Sequence, residues 1–95
     1  MSTPESRVKA AVKKLLETSH VYFFFPSANG YGHAGIPDII ACKNGHFFGI
    51  ECKAGKGKTT ALQDRELERI GAAGGTPLII REDNLHELKE ALDAH

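Results

Sequence analysis

An aspartate, a glutamate and a lysine in the middle of the chain are predicted to lie side by side. Asp38 precedes one apolar run, Glu51 and Lys53 end the next, and Asn44-Gly45 lies between the runs. Asn-Gly is the strongest short signal for a two-residue type I′ hairpin turn. With that turn, Asp38 lies opposite Glu51, and directly opposed residues share a face of the sheet. Lys53, two positions further on, shares that face as well.

This patch favours metal-assisted chemistry. Two opposed carboxylates, with Cβ atoms about 4.5–5.5 Å apart, repel each other. In a partly desolvated site one of them takes up a proton, or a cation lies between them. Mg²⁺ binds one or two carboxylates together with waters and phosphate oxygens. A neighbouring lysine can hold a phosphate or an attacking water, so the set suits hydrolysis of a phosphodiester. The alternative is a structural salt bridge in which Glu51 pairs with Lys53.

The sequence predicts three helices and four strands around these residues. Glycine at position 49 is expected to leave space beside the patch. Periodicity, turn signals and caps predict a helix over 4–18, strands over 21–25, 36–42 and 46–53, a helix from 59 or 60 to about 73, a strand over 77–81, and a last helix after Asn84. The order α-β-β-β-α-β-α predicts an α/β fold in which helices flank a mixed central sheet.

Capping patterns indicate where the helices begin. Ser2 or Thr3 can cap the first helix, and Ser2 with Glu5 forms a capping-box pattern. Thr60 with Gln63 forms a second pattern, and Asn84 with the glutamate three residues later forms a third. Capping is therefore an alternative to a site role for the acid at position 5 and for the glutamine at position 63.

Composition excludes several classes of protein. The chain has 95 residues, enough for one domain spanning 1–95 but not for a second core. A hydrophobic fraction of 41% excludes disorder, and no apolar run is long enough to cross a membrane. The N-terminus lacks the apolar region of a signal peptide, and two cysteines make no disulfide framework. We therefore expect a cytoplasmic protein with no membrane partner.

The cysteines also offer no metal centre of their own. In the hairpin register Cys42 and Cys52 lie on opposite faces, so they are not expected to pair. Together with His46 they lack the spacing of a zinc site.

Charge is distributed unevenly although the formal net charge is zero. Residues 1–60 hold eight Lys or Arg and four Asp or Glu, which gives +4, and residues 61–95 hold four and eight, which gives −4. Three of the four acids in the first part are the candidate site residues Glu5, Asp38 and Glu51. If a cation neutralises them, this part of the chain presents a basic surface suited to nucleic acid.

The ordered motifs resemble a known family. Pro37-Asp38 followed by Glu51-Cys52-Lys53 resembles the PD-(D/E)xK nuclease motif. The residues around it, Gly-Ile-Pro-Asp over 35–38, Phe-Gly-Ile-Glu-Cys-Lys over 48–53, Thr-Thr-x-x-Gln over 59–63 and Gly-Gly at 74–75, resemble the VRR-NUC group and are similar to archaeal-type Holliday junction resolvases. The resemblance spans about residues 5–81. It implies a restriction-endonuclease-like fold and a structure-selective endonuclease that cleaves branched DNA as a homodimer.

The resemblance also implies roles for individual residues. Asp38 and Glu51 would bind a divalent metal, Mg²⁺ or Mn²⁺, with the backbone carbonyl of Cys52 as a further ligand. Glu5 would match the acid of the family's first helix and assist at the metal. No organic cofactor is implied.

Two further residues complete the catalytic set that the resemblance implies. Lys53 would position or activate the attacking water, and Gln63 would match the glutamine that follows the motif. Glu5 lies on the edge of the apolar stripe of its predicted helix and Gln63 lies on the inner stripe of its own, where an exposed cap need not be.

DNA contacts are expected from two loops. Lys56 and Lys58 lie in a glycine-rich loop after Lys53 and are expected to contact phosphates, the alternative being a solvated loop. In the 27–35 loop, Tyr31 is a candidate for stacking and His33 for a phosphate contact. The cations of the first helix are interpreted mainly as a solvated face: Arg7, Lys9, Lys13 and Lys14.

Two other functions stay open at this point. One is a non-catalytic nucleic-acid-binding module on a nuclease fold, against which the intact acidic set argues. The other is a metal-independent RNA endonuclease that uses Tyr31, His33 and Lys53 for general acid–base chemistry. Cleavage in the presence of EDTA distinguishes it from a metal-dependent enzyme.

Overall fold

The predicted hairpin forms the centre of a four-stranded sheet. The computed structural model describes residues 3–27 and 33–95. Within them the elements are α1 (Pro4–Thr18), β1 (Tyr22–Phe24), β2 (Ile39–Lys43), β3 (His46–Cys52), α2 (Ala61–Ala72), β4 (Thr76–Ile80) and α3 (Leu85–Asp93). The predicted order is confirmed. None of the described helices is long and apolar enough to cross a bilayer.

The sheet is mixed, and its register is the one that the Asn-Gly turn predicts. The strand order is β1-β2-β3-β4, with antiparallel pairs β1–β2 and β2–β3 and a parallel pair β3–β4. Asn44 and Gly45 both have positive φ, 51° and 81°, as a type I′ turn requires. Ile40 pairs with Gly49, and Cys42 pairs with Phe47. The hairpin therefore has the register on which the expected juxtaposition of Asp38 and Glu51 depends.

Strands β1, β2 and β3 are shorter than the sequence predicted, and at β2 the reason concerns the site. β2 begins at Ile39 rather than at 36, so Asp38 precedes the strand. The backbone N–H of Cys52 donates to Asp38 Oδ2 at 2.8 Å, so a side chain takes the donor that would otherwise extend the ladder. Pro37, which has no N–H of its own, supports the same interruption. β1 is likewise limited to three residues.

The two faces of the sheet are covered unequally. One face carries Phe48, Ile50 and Cys52 of β3, which are fully buried with apolar residues of α1 and α3, including Val12 and Leu88. This is the hydrophobic core. Cys52 lies on this face and Cys42 on the other, as the register predicted. Glu51, one residue before Cys52, therefore belongs to the opposite face.

Helix α2 covers part of that opposite face. The expectation of free space beside Gly49 is wrong, because Ile70 of α2 occupies it. A Cβ atom at position 49 would lie 2.4 Å from Ile70 Cδ1 and 3.2 Å from Pro37 Cγ. The missing side chain thus lets α2 approach the sheet closely, which brings the helix N-terminus toward the glutamate at the end of β3.

Of the three predicted capping boxes, that of α2 is confirmed. Thr60 and Gln63 form the predicted capping box of α2. At α1 the box is formed by Thr3 and Ser6. The predicted partner Ser2 lies outside the described residues.

At α3 the predicted capping box is absent. Asn84 makes no side-chain cap, because its amide oxygen accepts from the Arg81 N–H at 2.5 Å and its amide nitrogen donates to the Ile79 carbonyl at 2.9 Å. The side chain is therefore used to fix the end of β4 instead of the start of the helix.

Gly35 offers a test of how the segment before β2 docks against α2. Its φ is +89°, and a Cβ atom there would lie 2.3 Å from the Leu62 carbonyl oxygen. Gly74 has a similar φ of +97° but nothing within 4 Å of a Cβ atom. We predict that Gly74→Ala costs about 1–2 kcal/mol of unfolding free energy. Gly35→Ala should cost about 1–3 kcal/mol more, because a backbone must move. Equal losses in chemical denaturation would contradict close docking.

Candidate active site

The candidate site lies at the open end of the β2–β3 hairpin, where α1 and α2 approach from opposite faces of the sheet. Asp38 is held from two sides. Its Oδ2 accepts the Cys52 N–H, and its Oδ1 lies 3.5 Å from the ammonium of Lys9 on α1. The carboxylate is therefore fixed in direction while part of its surface stays accessible.

Glu51 is the most deeply buried acid among the described residues, with 2% of its surface exposed. Its Oε1 receives a long hydrogen bond, 3.4 Å, from Gln63 Nε2 at the start of α2. Its Oε2 has no hydrogen-bond partner among the residues that the structure describes. A buried carboxylate oxygen without a partner carries a desolvation cost that a bound cation would offset.

Electrostatics at Glu51 show how strongly the two acids interact. Burial is the largest cause that raises the pKa of Glu51, and the neighbouring Asp38 carboxyl raises it further, to about 8. The charge of Glu5 also raises this pKa, whereas the charge of Lys53 lowers it. In the absence of metal at neutral pH, Glu51 therefore holds a proton, which is one of the two outcomes expected for opposed carboxylates.

Lys53 and Gln63 both lie near Glu51. Lys53 follows β3 directly, is half-buried, and is close enough to Glu51 for its charge to act on that carboxyl. Gln63 contacts Glu51 through its amide nitrogen while its amide oxygen accepts the Thr60 N–H at 2.9 Å. The capping role and the site role of Gln63 are thus compatible, because different atoms serve them.

Glu5 is half-buried in the first turn of α1, and its charge acts on both Glu51 and Cys52. Because Thr3 and Ser6 form the capping box, the box gives no explanation for Glu5. A charge at a helix N-terminus is still favourable there. Cys52 itself points its thiol into the core, where burial raises the thiol pKa to about 12. Its backbone carbonyl as a metal ligand stays a prediction.

Lys9 is a residue that the sequence interpretation assigned to a solvated helix face, and this is wrong. It is half-buried and pairs with Asp38. The signal that could have found it is its spacing, because Lys9 follows Glu5 by four residues and so lies on the same face of α1.

The lysine loop after β3 is exposed but anchored. Arg81 Nη1 donates to the carbonyls of Gly55 and Gly57, at 3.1 and 2.6 Å. The carboxylate of Glu82 accepts the Gly55 N–H at 2.9 Å. Both residues directly follow β4, so the end of that strand fixes the loop that carries Lys56 and Lys58. The two lysines remain exposed, and their phosphate contacts remain a prediction.

The other predicted DNA contacts fall at and beyond the edge of the described residues. Tyr31 lies outside them. His33 is described, and its Nε2 lies 2.5 Å from Glu66 Oε1 on α2. Glu66 also accepts from Arg69 at 2.9 Å, and the hydrogen bond with His33 is the largest cause lowering its pKa. His33 is thus tied to α2, which the sequence did not indicate.

The donor set fits a small hard cation. Asp38 and Glu51 contribute oxygen atoms, one of which is buried and unpartnered, and Glu5 adds a nearby third charge. Among the described residues no three His, Cys, Asp or Glu side chains already converge into a ligand cluster. Mg²⁺ needs no such cage, because it keeps several waters and binds through one or two carboxylates plus phosphate oxygens.

The fold recurs in a solved structure of another protein. A solved VRR_NUC domain is similar over 94% of this chain and 97% of its own, with a TM-score of 0.78 and 23% sequence identity. The architecture is a restriction-endonuclease-like α/β fold. A search of curated proteins gives no match.

Residues 10–89 match the family model of the archaeal Holliday junction resolvase (hjc). The chain therefore belongs to the archaeal Holliday junction resolvase family, a family of nucleases. The match includes the hairpin and the whole of α2. It begins after Glu5 and Lys9, so the roles of these two residues depend on the geometry alone.

The raised pKa of Glu51 predicts how the metal-free protein responds to pH. The folded state holds a proton that the unfolded state releases near pH 4.5. The free energy of unfolding should therefore fall as pH rises from about 4.5 to about 8, and the contribution of Glu51 should then level off. In chemical denaturation with EDTA, Glu51→Gln should be at least as stable as the wild type at pH 8 and should flatten this decline. A clear loss of stability in both Glu51→Gln and Asp38→Asn would favour a structural salt bridge.

Proposed function

We propose that the protein is a divalent-metal-dependent endonuclease that hydrolyses phosphodiester bonds of DNA, selectively in branched structures such as Holliday junctions or flaps, with residues 1–95 acting as one nuclease domain. The observation that carries the proposal is the proximity of Asp38, just before β2, to the buried Glu51 near the end of β3, whose Oε2 has no hydrogen-bond partner among the described residues. Family membership and the fold support the nuclease chemistry.

Asp38 and Glu51 would hold the metal, Mg²⁺ or Mn²⁺, with the Cys52 carbonyl as a further ligand and Glu5 acting through its charge. The bound cation would supply Lewis acidity for the phosphate and lower the pKa of the attacking water. The bond from Gln63 to Glu51 would hold that carboxylate in place, since partners of ligating carboxylates typically support metal affinity.

The remaining steps belong to side chains of the chain itself. Lys53, on the same face as the two acids, would orient the attacking water and offset negative charge that develops on the phosphate. Lys56 and Lys58, on the loop fixed by Arg81 and Glu82, would contact the neighbouring phosphates. His33 is available to DNA only by giving up or sharing its contact with Glu66.

The test is a cleavage panel on a four-way junction, a flap, a fork, a duplex and a single strand, in Mg²⁺, Mn²⁺ or EDTA. We predict cleavage of branched substrates with either metal and none with EDTA. Asp38→Asn, Glu51→Gln and Lys53→Ala should each lower the rate about 100-fold or more, because the first two weaken the metal site and the third removes a positive charge beside the reacting phosphate.

Lys14→Ala, an exposed change on α1, is the matched control and should cleave normally. Full activity in EDTA would instead indicate the metal-independent RNA-type chemistry. Binding without cleavage under every condition would indicate a non-catalytic module.

A homodimer is the second part of the proposal. Tyr22, Phe24 and Phe47 are exposed and share the sheet face of which α2, alone among the described helices, covers a part. Contiguous exposed apolar side chains on a small domain mark an interaction surface. A second copy would bury this surface and would supply a second cleavage site for the paired strand of a branched substrate.

The dimer is tested by one charge on the edge strand. Tyr22 is 72% exposed, so Tyr22→Glu should leave the fold intact while opposing association through that face. In sedimentation velocity we predict a dimer for the wild type and a monomer for Tyr22→Glu at micromolar concentration. His86→Glu, on the exposed side of α3, should remain dimeric. A wild-type monomer with full activity on a four-way junction would contradict the proposal.

A further inference from the structure

Lys9 occupies the place that a cation at Asp38 would need. The two oxygens of Asp38 have different partners, because Oδ2 accepts the Cys52 N–H and Oδ1 faces the Lys9 ammonium. Oδ1 is thus the atom with room for a further ligand, and Lys9 stands in front of it. When a metal binds at Oδ1, two positive charges cannot remain within 4 Å of each other without strong repulsion.

A cavity of about 560 Å³ adjoins this pair and has room for the displaced ammonium. It extends from Asp38 past Lys9 to Phe25 and His33. Among the described residues that line it, Asp38 is the only acid. Once a metal holds Asp38, the described wall of the cavity offers Lys9 no anionic partner.

A phosphate of the DNA substrate would supply the anionic partner that Lys9 then lacks. Lys9 has a flexible four-carbon stem and 37% of its side chain exposed, so the ammonium can turn from Asp38 into the cavity. A DNA strand cleaved at Asp38 and Glu51 carries its next phosphates away from that point along the surface, and the cavity begins at Asp38.

We propose that Lys9 is a metal-gated phosphate contact: it neutralises Asp38 in the metal-free protein, and when a divalent cation binds there it turns into the adjoining cavity and binds the phosphate next to the scissile one. This inference rests on the proposed function, since it needs the metal at Asp38 and the DNA strand. It adds a binding site for the backbone phosphate and makes that site depend on the metal.

The inference has a first consequence that needs no DNA. Removing the positive charge at position 9 should strengthen divalent metal binding, because the cation no longer competes with an ammonium. In calorimetric titration with Mn²⁺ alone, Lys9→Gln should bind about two- to five-fold more tightly than the wild type, the size expected of a partly exposed ion pair. Lys9→Arg, which keeps the charge, should bind as the wild type does.

For DNA binding the expected effect is the opposite, because Lys9→Gln should weaken it when the metal is present. Binding is measured by fluorescence anisotropy of a labelled four-way junction against salt, in a Lys53→Ala background whose failure to cut is checked on a gel. With Mg²⁺, Lys9→Gln should flatten the salt dependence by about one unit, the value of one lost phosphate contact. With EDTA, Lys9→Gln should leave it unchanged, because Asp38 then holds the lysine. Lys9→Arg should keep the slope with Mg²⁺.

Lys14→Gln is the matched control on α1, because it removes an exposed charge on a different side of the helix. Equal slopes for Lys9→Gln and Lys14→Gln with Mg²⁺, or the same loss for Lys9→Gln with Mg²⁺ and with EDTA, would overturn the gated contact. The proposed function would then stand if the parent still binds the junction. A parent that binds no DNA would overturn both, and melting curves confirm that each variant is folded.

Discussion

The rest of the molecule depends on two carboxylates that a hairpin brings together, Asp38 just before β2 and Glu51 near the end of β3. The register of this hairpin cannot slip by one residue without moving every side chain to the other face. The register places Asp38 and Glu51 at the open end of the hairpin, and burial of Glu51 makes the repulsion costly. No arrangement of apolar neighbours relieves that cost. The surrounding elements can be understood by what they bring to these two groups.

Each neighbouring element contributes a different group that interacts with the two carboxylates. The hairpin itself donates the Cys52 N–H, α1 contributes the Lys9 ammonium, and α2 contributes the Gln63 amide. These contacts stabilise Asp38 more than Glu51, whose second oxygen stays without a partner and whose pKa rises to about 8. The metal-free protein thus lowers the net negative charge of the site with a proton and a lysine. If a cation binds here as proposed, the proton would leave and the lysine would move, so the metal-free and metal-bound states would differ at these atoms.

The sequence predicted what local chemistry determines. The Asn-Gly turn set the hairpin, the hairpin set the register, and the register placed Asp38 against Glu51 and separated the two cysteines. Strand lengths were overestimated because a side chain, that of Asp38, takes a ladder donor, which no propensity records. The cap at Asn84 failed for a similar reason.

What the sequence missed depends on how helices dock. Lys9 was assigned to solvent because the sequence of α1 alone does not determine which side of the helix faces the sheet. Core packing sets that rotation. The anchoring of the lysine loop by Arg81, and of His33 by Glu66, joins residues far apart in the chain. The space expected at Gly49 was filled by Ile70, because close packing leaves few voids.

Metal binding by the DNA-free protein tests whether Asp38 and Glu51 form a divalent-cation site. The measurement is the shift in melting temperature of the DNA-free protein as Mn²⁺ is added, for the wild type, Asp38→Asn and Glu51→Gln. A ligand that binds only the folded state raises stability with its concentration. We predict a saturable rise for the wild type and a much smaller one for both variants, even though these variants are no less stable in EDTA. Equal rises in all three proteins, or no rise in the wild type, would contradict the account.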